Sequence, residues 1–379
     1  MRLHVVSFQV PYPPRYGGLI DVYYKLKALK QSGVRLTLHT YIYGDATRQD
    51  ESLRQMADEV YYYPRHTGWQ AASGRLPYIV QSRRSPLLLE HLLADDAPIL
   101  FEGLHTCYFL THPRLAGREL WVRTHNVEHD YYRGLAHATP LGIKRLYYTT
   151  EALRLQRYEH VLHAATRIFA ISPADTAHFA ACYPQARTTC LPCFYNNEPG
   201  PPLPPQDKQP FGGAYVLYQG NLAVEENIRA VRHIVRHVLP LVPEVRLVVA
   251  GASPSNELCN ELKSYPNVIL RANLSEQDMH TLIACARVNI LLTFQPTGIK
   301  LKLLHALAKG RGSCLVNSYM LPDKRFRQVC HVADSADELA ACLHQLYTRP
   351  TSDKQLEYRR EVLKNIGYGN DVSPLLLHP

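Results

Sequence analysis

Two groups of residues in this chain have types and spacings suited to chemistry on a charged or hydroxylated ligand. The first lies in the N-terminal half. Gly17 and Gly18 close the turn PYPPRYGG, and Glu102, His105, His125 and Glu128 follow short apolar runs. Glycines let a ligand approach the backbone, while histidine and glutamate side chains bind hydroxyls or move protons. The second group lies in Thr293–Asn317, TFQPTGIKLKLLHALAKGRGSCLVN. Pro296 and Gly298 turn the chain, apolar residues recur at helical spacing from Ile299, and Gly310 ends the helix as a left-handed cap. A helix N-terminus after such a turn offers unpaired amides and the positive end of its dipole to a phosphate. Lys300 and Lys302 stand in the first turn, and Lys302 shares a helix face with His305. Lys300 falls between apolar positions, where an unpaired ammonium is costly to bury, so an anionic partner is expected at Lys300 and Lys302 with the amides after Gly298, from Ile299 on. Each feature alone also has a plain structural reading: a tight turn, solvated lysines, a hydrogen-bonded histidine. No Asp-x-Asp pair and no His/Asp cluster at ligand spacing is present, so no metal is expected. Cys190 and Cys193 form a lone C-x-x-C, a weak zinc signal without a second pair.

Parallel strands must position these residues. Leu3–Val10, Val34–Tyr41, Val60–Tyr63, Pro98–Phe101, Glu119–Thr124 and Arg167–Ala170 read as strands, with helices at Ile20–Ser32, Gln49–Ala57, Ser85–Ala94 and Ile143–Ala165 between them. Ser172 and Pro173 read as the cap and first residue of a further helix. Strands alternating with helices imply an α/β fold with parallel sheets, whose ligands sit at the carboxyl ends of the strands. Gly17, Gly18, Glu102, His105, His125 and Glu128 all fall at such ends. The Pro-rich stretch 196–213 reads as a linker. A second alternating pattern then starts at Tyr215 and includes the helix after Ile299. The expected organisation is a first domain over 1–195, a linker over 196–213, a second domain over 214–350, and a final helix and tail over 351–379 packing back toward the first.

With 379 residues, two domains are the prior. A 46% hydrophobic and 20% charged composition describes a globular protein with an ample core. No apolar run approaches the ~20 residues of a membrane span, and MRLHVVSFQVPYPP reads as a first strand and not a signal peptide. A cytoplasmic location follows. The nine cysteines, an odd number spread through predicted elements, read as reduced thiols. The net charge of +9 suits phosphate-bearing substrates or anionic lipid, and Lys144–Arg157 could rest on such a membrane surface. Without a dense basic block or a recognition motif, nucleic acid is not an expected partner.

Taken together, the N-terminal strand with PYPPRYGG, the VRTHN strand end at Val122–Asn126, the Ile171–Ser172 helix start and the domain from Tyr215 to Asn317 resemble GT-B glycosyltransferases. The likeness is strongest to retaining family-4 enzymes and bacterial envelope or polysaccharide glycosyltransferases. The resemblance implies two Rossmann-like domains facing a cleft and transfer of a hexose-type sugar. The donor would be a UDP- or GDP-linked nucleotide sugar, used without metal or cofactor, and the acceptor a glycan or a lipid-linked molecule. It places Gly17 and Gly18 near the donor phosphate and reaction centre, and His125 beside the transferred sugar. Glu102 and His105 share that edge as catalytic candidates. The base would lie near Arg271 and Asn273. Asn221 and Glu226 stand where the family has an Arg and a Lys on the diphosphate, and Thr297 and His305 where it has two glutamates. Two other readings stay open. A sugar-nucleotide epimerase or hydrolase would use Glu102 or Glu128, and a non-catalytic GT-B module would bind a glycan or partner.

Overall fold

Short runs of Val, Ile, Leu and aromatic residues, buried on both faces, pair into two parallel sheets flanked by amphipathic helices. The computed structural model describes all residues except 15–16, 44–49, 69–70, 72–74, 199, 203, 206–208, 296–299, 367, 369 and 377–379. The chain forms two compact units. One holds residues 1–195 and the chain from Tyr368, and the other holds 196–296 and 300–367.

In the first unit, strands β1 (Arg2–Ser7), β2 (Arg35–Ile42), β3 (Glu59–Pro64), β4 (Ile99–Glu102), β5 (Leu120–Thr124), β6 (Arg167–Ala170) and β7 (Arg187–Cys190) line up as β3-β2-β1-β4-β5-β6-β7. The order reverses between β1 and β4, the switch point at which open parallel sheets leave a crevice. Helix α1 (Gly17–Gln31) buries Leu19, Val22, Leu26 and Leu29 against one face. Gly17 and Gly18 form its first turn, so the helix starts three residues before the Ile20 expected from periodicity. Helix α2 (Glu128–Ala138), which the sequence pattern did not reveal, begins just after His125, and α3 (Ile143–Tyr158) packs against it. Ser172 caps the helix Pro173–Cys182, its hydroxyl accepting from the Asp175 amide at 3.1 Å.

In the second unit, β8 (Val216–Gln219), β9 (Leu247–Gly251), β10 (Val268–Ala272), β11 (Val288–Leu291), β12 (Ser313–Val316) and β13 (His331–Val332) run in the order β10-β9-β8-β11-β12-β13. Helix α4 (Leu301–Lys309) follows β11. Thr297, Gly298 and Ile299 lie outside the described residues. Gly310 is not left-handed as expected; its φ is −75°. A side chain is excluded there for another reason, since a Cβ would meet the Ala306 carbonyl at 2.4 Å and Asn289 at 3.1 Å. Arg359 of α5 (Asp353–Ile366) binds the Gly310 and Gly312 carbonyls at 3.0 and 2.8 Å, which ties this helix to the second unit. The chain from Tyr368 belongs to the first: Asn370 exchanges hydrogen bonds with the backbone of Tyr195. The Pro-rich stretch expected as a linker is seated on α4. Lys309 donates to the Glu198 carbonyl at 3.0 Å, and the Lys309 backbone leaves no room for a Cβ on Gly200.

A buried hydrogen-bonded chain crosses the first sheet. His4 Nε2 donates to Asp95 (2.8 Å), which leaves His4 Nδ1 to accept from His39 Nε2 (2.9 Å). His39 Nδ1 then accepts from the Tyr63 hydroxyl (2.7 Å), whose oxygen accepts from His91 Nδ1 (2.8 Å). The carboxylate at one end thus sets every tautomer along the line. Burial, with His4 and His91 adding, holds His39 well below its ordinary pKa. A neutral His39 stabilises the fold fully above the unfolded value of about 6.5, and this contribution is lost as pH falls below it. We expect His39→Leu to cost ~1–3 kcal/mol at pH 8 by orphaning two buried partners. Denaturant unfolding should show the gap to the unsubstituted protein narrowing toward pH 5. A gap independent of pH would contradict a depressed His39.

Candidate functional site

At the carboxyl edge of the first sheet, five ionisable residues meet. Asp21 and Lys25, one turn apart on α1, face the same way. Glu102 on β4 is in register with Arg123 on β5, and His125, two residues on, projects to the same side as Arg123. Asp21, Lys25, Glu102 and Arg123 are fully buried and His125 nearly so. Arg123 grips Asp21 with Nε and Nη2, both at 3.1 Å, and also donates to the carbonyls of Leu191 and Pro192. The ammonium of Lys25 lies 3.0 Å from Asp21 and 2.8 and 3.0 Å from the two oxygens of Glu102. The amide of Phe194 completes the shell of Asp21 at 2.8 Å. Burial pushes the Asp21 and Glu102 carboxyls up, but the adjacent cations outweigh it and hold both below their ordinary values. Two carboxylates and two cations therefore face one another in the cluster.

Glu102 presents an oxygen to His125 Nε2 at 3.2 Å. Nδ1 of His125 is buried, lies 3.7 Å from Asp21 Oδ2 and has no hydrogen-bond partner among the described residues. His105 stands beside it. Gly103, with φ +69°, makes this possible, because a Cβ would sit 2.9 Å from His105 Nδ1 and 3.5 Å from the His125 ring. The Phe8 ring lies 5.3 Å from His105 and 5.7 Å, edge-on, from His125. The close approach expected at Gly18 is that of Phe8, whose Cζ would be 2.8 Å from a Cβ there. Burial, then the Arg83 charge, keeps His105 well below its ordinary pKa. Glu128, the first residue of α2, is buried with Oε1 unpartnered among the described residues, and burial pushes it up to about 7.

Asp21 and Glu102 with the ring of His125 also resemble a metal site, since their ligand atoms lie within 4.8 Å of one another. Lys25 and Arg123 already neutralise both carboxylates and occupy their oxygens, so ion pairing accounts for the cluster. Cys193 is buried and donates to the Phe194 carbonyl at 3.2 Å, and all nine cysteines are free thiols.

The residues expected to hold a nucleotide diphosphate are spread over the second unit. Gly220 and Gly251 end adjacent strands and touch: a Cβ on Gly251 would fall 1.9 Å from the Gly220 carbonyl. Asn221, exposed, accepts from the Ala223 amide at 3.0 Å. Glu226 accepts from the Thr293 hydroxyl at 2.7 Å and from the Phe294 amide, which fixes the loop leaving β11. Lys302 departs from its expected role. Its ammonium donates to the Tyr218 hydroxyl (3.3 Å), Asn227 Oδ1 (3.0 Å) and the Leu292 carbonyl (3.1 Å), which uses all three donors inside the unit. Burial, with Lys300 adding, lowers its pKa to about 7. Lys300 is buried at the start of α4 and donates to the Gln295 carbonyl at 2.8 Å. Asn273, with φ +53°, braces the turn after β10 by accepting from the Ser253 amide at 2.8 Å. Arg271 is exposed near the Phe211 ring. His305 lies edge-on to His280, and burial lowers it to about 4.

Sequence reading placed Gly18, Glu102, His105 and His125 at one edge, and the structure brings them together. It passed over Asp21, Lys25 and Arg123, although each carries a signal. A charge inside the apolar strand LWVRT, and an i,i+4 acid–base pair on the buried face of α1, both require partners. Lys25→Met would leave two buried carboxylates to Arg123 alone. Denaturation should show a loss of ~3–5 kcal/mol, against ~0–1 kcal/mol for Lys30→Met, whose pair with Asp58 is surface-exposed. Equal losses would mean the buried network carries no special weight.

Residues 213–349 match the family described as glycosyl transferases group 1. Over 326 residues the chain is 25% identical to an uncharacterised 44.6 kDa protein in the cps region of Klebsiella pneumoniae, covering 81% of this chain and 80% of that one. Solved structures similar to it include a sucrose-phosphate synthase from Thermosynechococcus elongatus (14% identity, TM-score 0.69, 97% of both chains). A trehalose-6-phosphate synthase, OtsA, is 15% identical with TM-score 0.68, covering 98% and 96%. A UDP-forming trehalose-phosphate synthase from Burkholderia vietnamiensis is 12% identical with TM-score 0.61, covering 98% and 97%. The fold agrees with the two sheets described above: the chain has a GT-B fold, and its residues 213–349 carry the match to glycosyl transferases group 1.

Proposed function

We propose that the chain moves a hexose-type sugar from a UDP- or GDP-linked donor to a glycan or lipid-linked acceptor. Transfer proceeds with retention at the anomeric carbon and without a divalent metal, on the cytoplasmic side and in peripheral contact with anionic membrane. The observation that carries this reading is His125. It is locked by Glu102 at the carboxyl end of β5, with the edge of its ring against Gly103 and His105 nearby. An imidazole so oriented can hold a sugar hydroxyl as positive charge develops on the ring. The similarity to a cps-region protein supports an envelope or capsular glycan as the acceptor, and the similarity to a UDP-forming synthase supports a nucleoside diphosphate as the leaving group. Leaving charge falls to the amides and dipole at the start of α4, with Lys300 as the cation there, while Gly17, Asn221, Arg271, Asn273 and His305 remain candidates for donor contacts.

A second reading, sugar-nucleotide hydrolysis or epimerisation, is favoured by one feature alone. Glu128 is a buried carboxyl with a free oxygen and a raised pKa. Glu102 does not serve it, being committed to Lys25 and His125.

Incubation with UDP- and GDP-sugars, with EDTA present, separates these readings. We expect slow release of nucleotide with one donor and acceleration by an acceptor glycan. Conversion of the sugar nucleotide itself would support the second reading, and a strict metal requirement would reject the first as stated. His125→Ala should lower turnover by ~10²-fold or more while thermal unfolding stays close to that of the unsubstituted protein. For the phosphate site, Lys300→Met should weaken UDP or GDP binding by ~1–3 kcal/mol, measured by calorimetry; unchanged affinity would leave the α4 amides to act alone.

A further inference from the structure

Along the C-terminal half of α3, an open groove of about 1010 Å³ is lined by Tyr108, Phe109, Tyr158, Arg75, Arg154 and Arg157, among others. Its aromatic wall is fixed. The rings of Tyr108 and Phe109 meet edge to face at 4.9 Å, and the Tyr158 hydroxyl is spent on the Cys107 carbonyl at 2.9 Å. Its charge is one-sided. No carboxylate lines it, and Arg75 and Arg157 form no ion pair among the described residues. Arg154 binds Glu151 at 2.8 Å through Nη1 alone, and that buried carboxylate also receives the Tyr78 amide at 2.7 Å.

The outer face of α3 continues this surface. Ile143, Leu146 and Leu153 are 89%, 64% and 49% exposed, and Tyr147 is exposed as well. At about 100° per residue these four fall, with Arg154 and Arg157, inside an arc of about 120°. Ala152 and Leu155 on the opposite side are buried. An uncovered apolar stripe that runs into an arginine-edged aromatic groove suits a partner that is apolar along its length and anionic at one end. A free anion would leave the stripe uncovered, and a neutral apolar ligand would leave the arginines unpaired.

We propose that this face of the first unit docks on a membrane surface, with the stripe from Ile143 to Leu153 in the apolar boundary and the phosphate of an anionic phospholipid against Arg154 and Arg157. The proposal names the site and partner for the membrane contact read above, and its test measures lipid binding with no sugar present.

Flotation of the full chain with vesicles tests it. Phosphatidylglycerol–phosphatidylcholine vesicles should carry the protein, and phosphatidylcholine vesicles should carry far less. Arg157→Gln, whose side chain bonds to nothing among the described residues, should lower the partition about fivefold, and Arg154→Gln with Arg157→Gln about thirtyfold. Leu146→Ser with Leu153→Ser should weaken binding to the same vesicles without altering nucleotide release from the sugar donor. Inorganic phosphate at millimolar concentration should not displace the protein. Equal binding to both vesicle types, partition unchanged in Arg157→Gln and the double serine variant, or displacement by inorganic phosphate would each overturn the proposal. If sugar transfer failed while flotation held, only the catalytic reading would fall.

Discussion

Four charges with no access to water hold the first unit together. A single buried carboxylate or ammonium costs several kcal/mol to desolvate, and a lone pair often fails to recover that cost. Here Asp21 is shared by two cations and Lys25 by two carboxylates, and backbone groups of Phe194, Leu191 and Pro192 take much of the remaining hydrogen-bonding capacity. The arrangement fails if any one member is removed. It also joins parts of the chain far apart in sequence: α1, β4, β5 and the segment after β7 have one geometry that satisfies it. The network thus acts as a constraint on the packing of α1 as well as a source of stability.

His125 is the output of that constraint. Its ring is held on one side by a carboxylate that cannot move without disturbing Lys25, and its other nitrogen is buried 3.7 Å from Asp21. Gly103 and Gly18 remove the side chains that would keep His105 and Phe8 away. An oriented imidazole among aromatic rings can recognise a hydroxyl. Glu102 and Lys25 are positioning residues in this sense, acting through the histidine.

The second unit spends its charged side chains differently. Glu226 clamps the loop after β11, and Lys302 ties that loop to β8 and to Asn227. Both lie where a phosphate grip would be sought, and both are occupied in bracing the strand ends. Beside the exposed Asn221 and Arg271, backbone groups are at hand there: the touching glycines at the ends of β8 and β9, the turn held by Asn273, and the amino end of α4. Main-chain donors and a helix dipole can hold a diphosphate with few side-chain cations.

By itself the sequence determined the class of fold and the edge on which chemistry sits. Alternating buried strands and amphipathic helices have local periods that a single chain displays, and residues that follow parallel strands must emerge on the same side. That is why Gly18, Glu102, His105 and His125 were legible as a group, and why the second alternating pattern from Tyr215 announced a second sheet. Helix limits were less legible where glycine opens a helix, as at Gly17, or closes one without turning left-handed, as at Gly310. Only the tertiary structure decided which charges neutralise which. Asp21 and Arg123 are 102 residues apart, and nothing in the spacing of either names the other. The same holds for Lys302, which reads as a phosphate ligand until Tyr218, Asn227 and Leu292 are seen to take its three donors. Periodicity is a local property, written in neighbouring residues, whereas the pairing of buried charges depends on distances that exist only after the chain has folded.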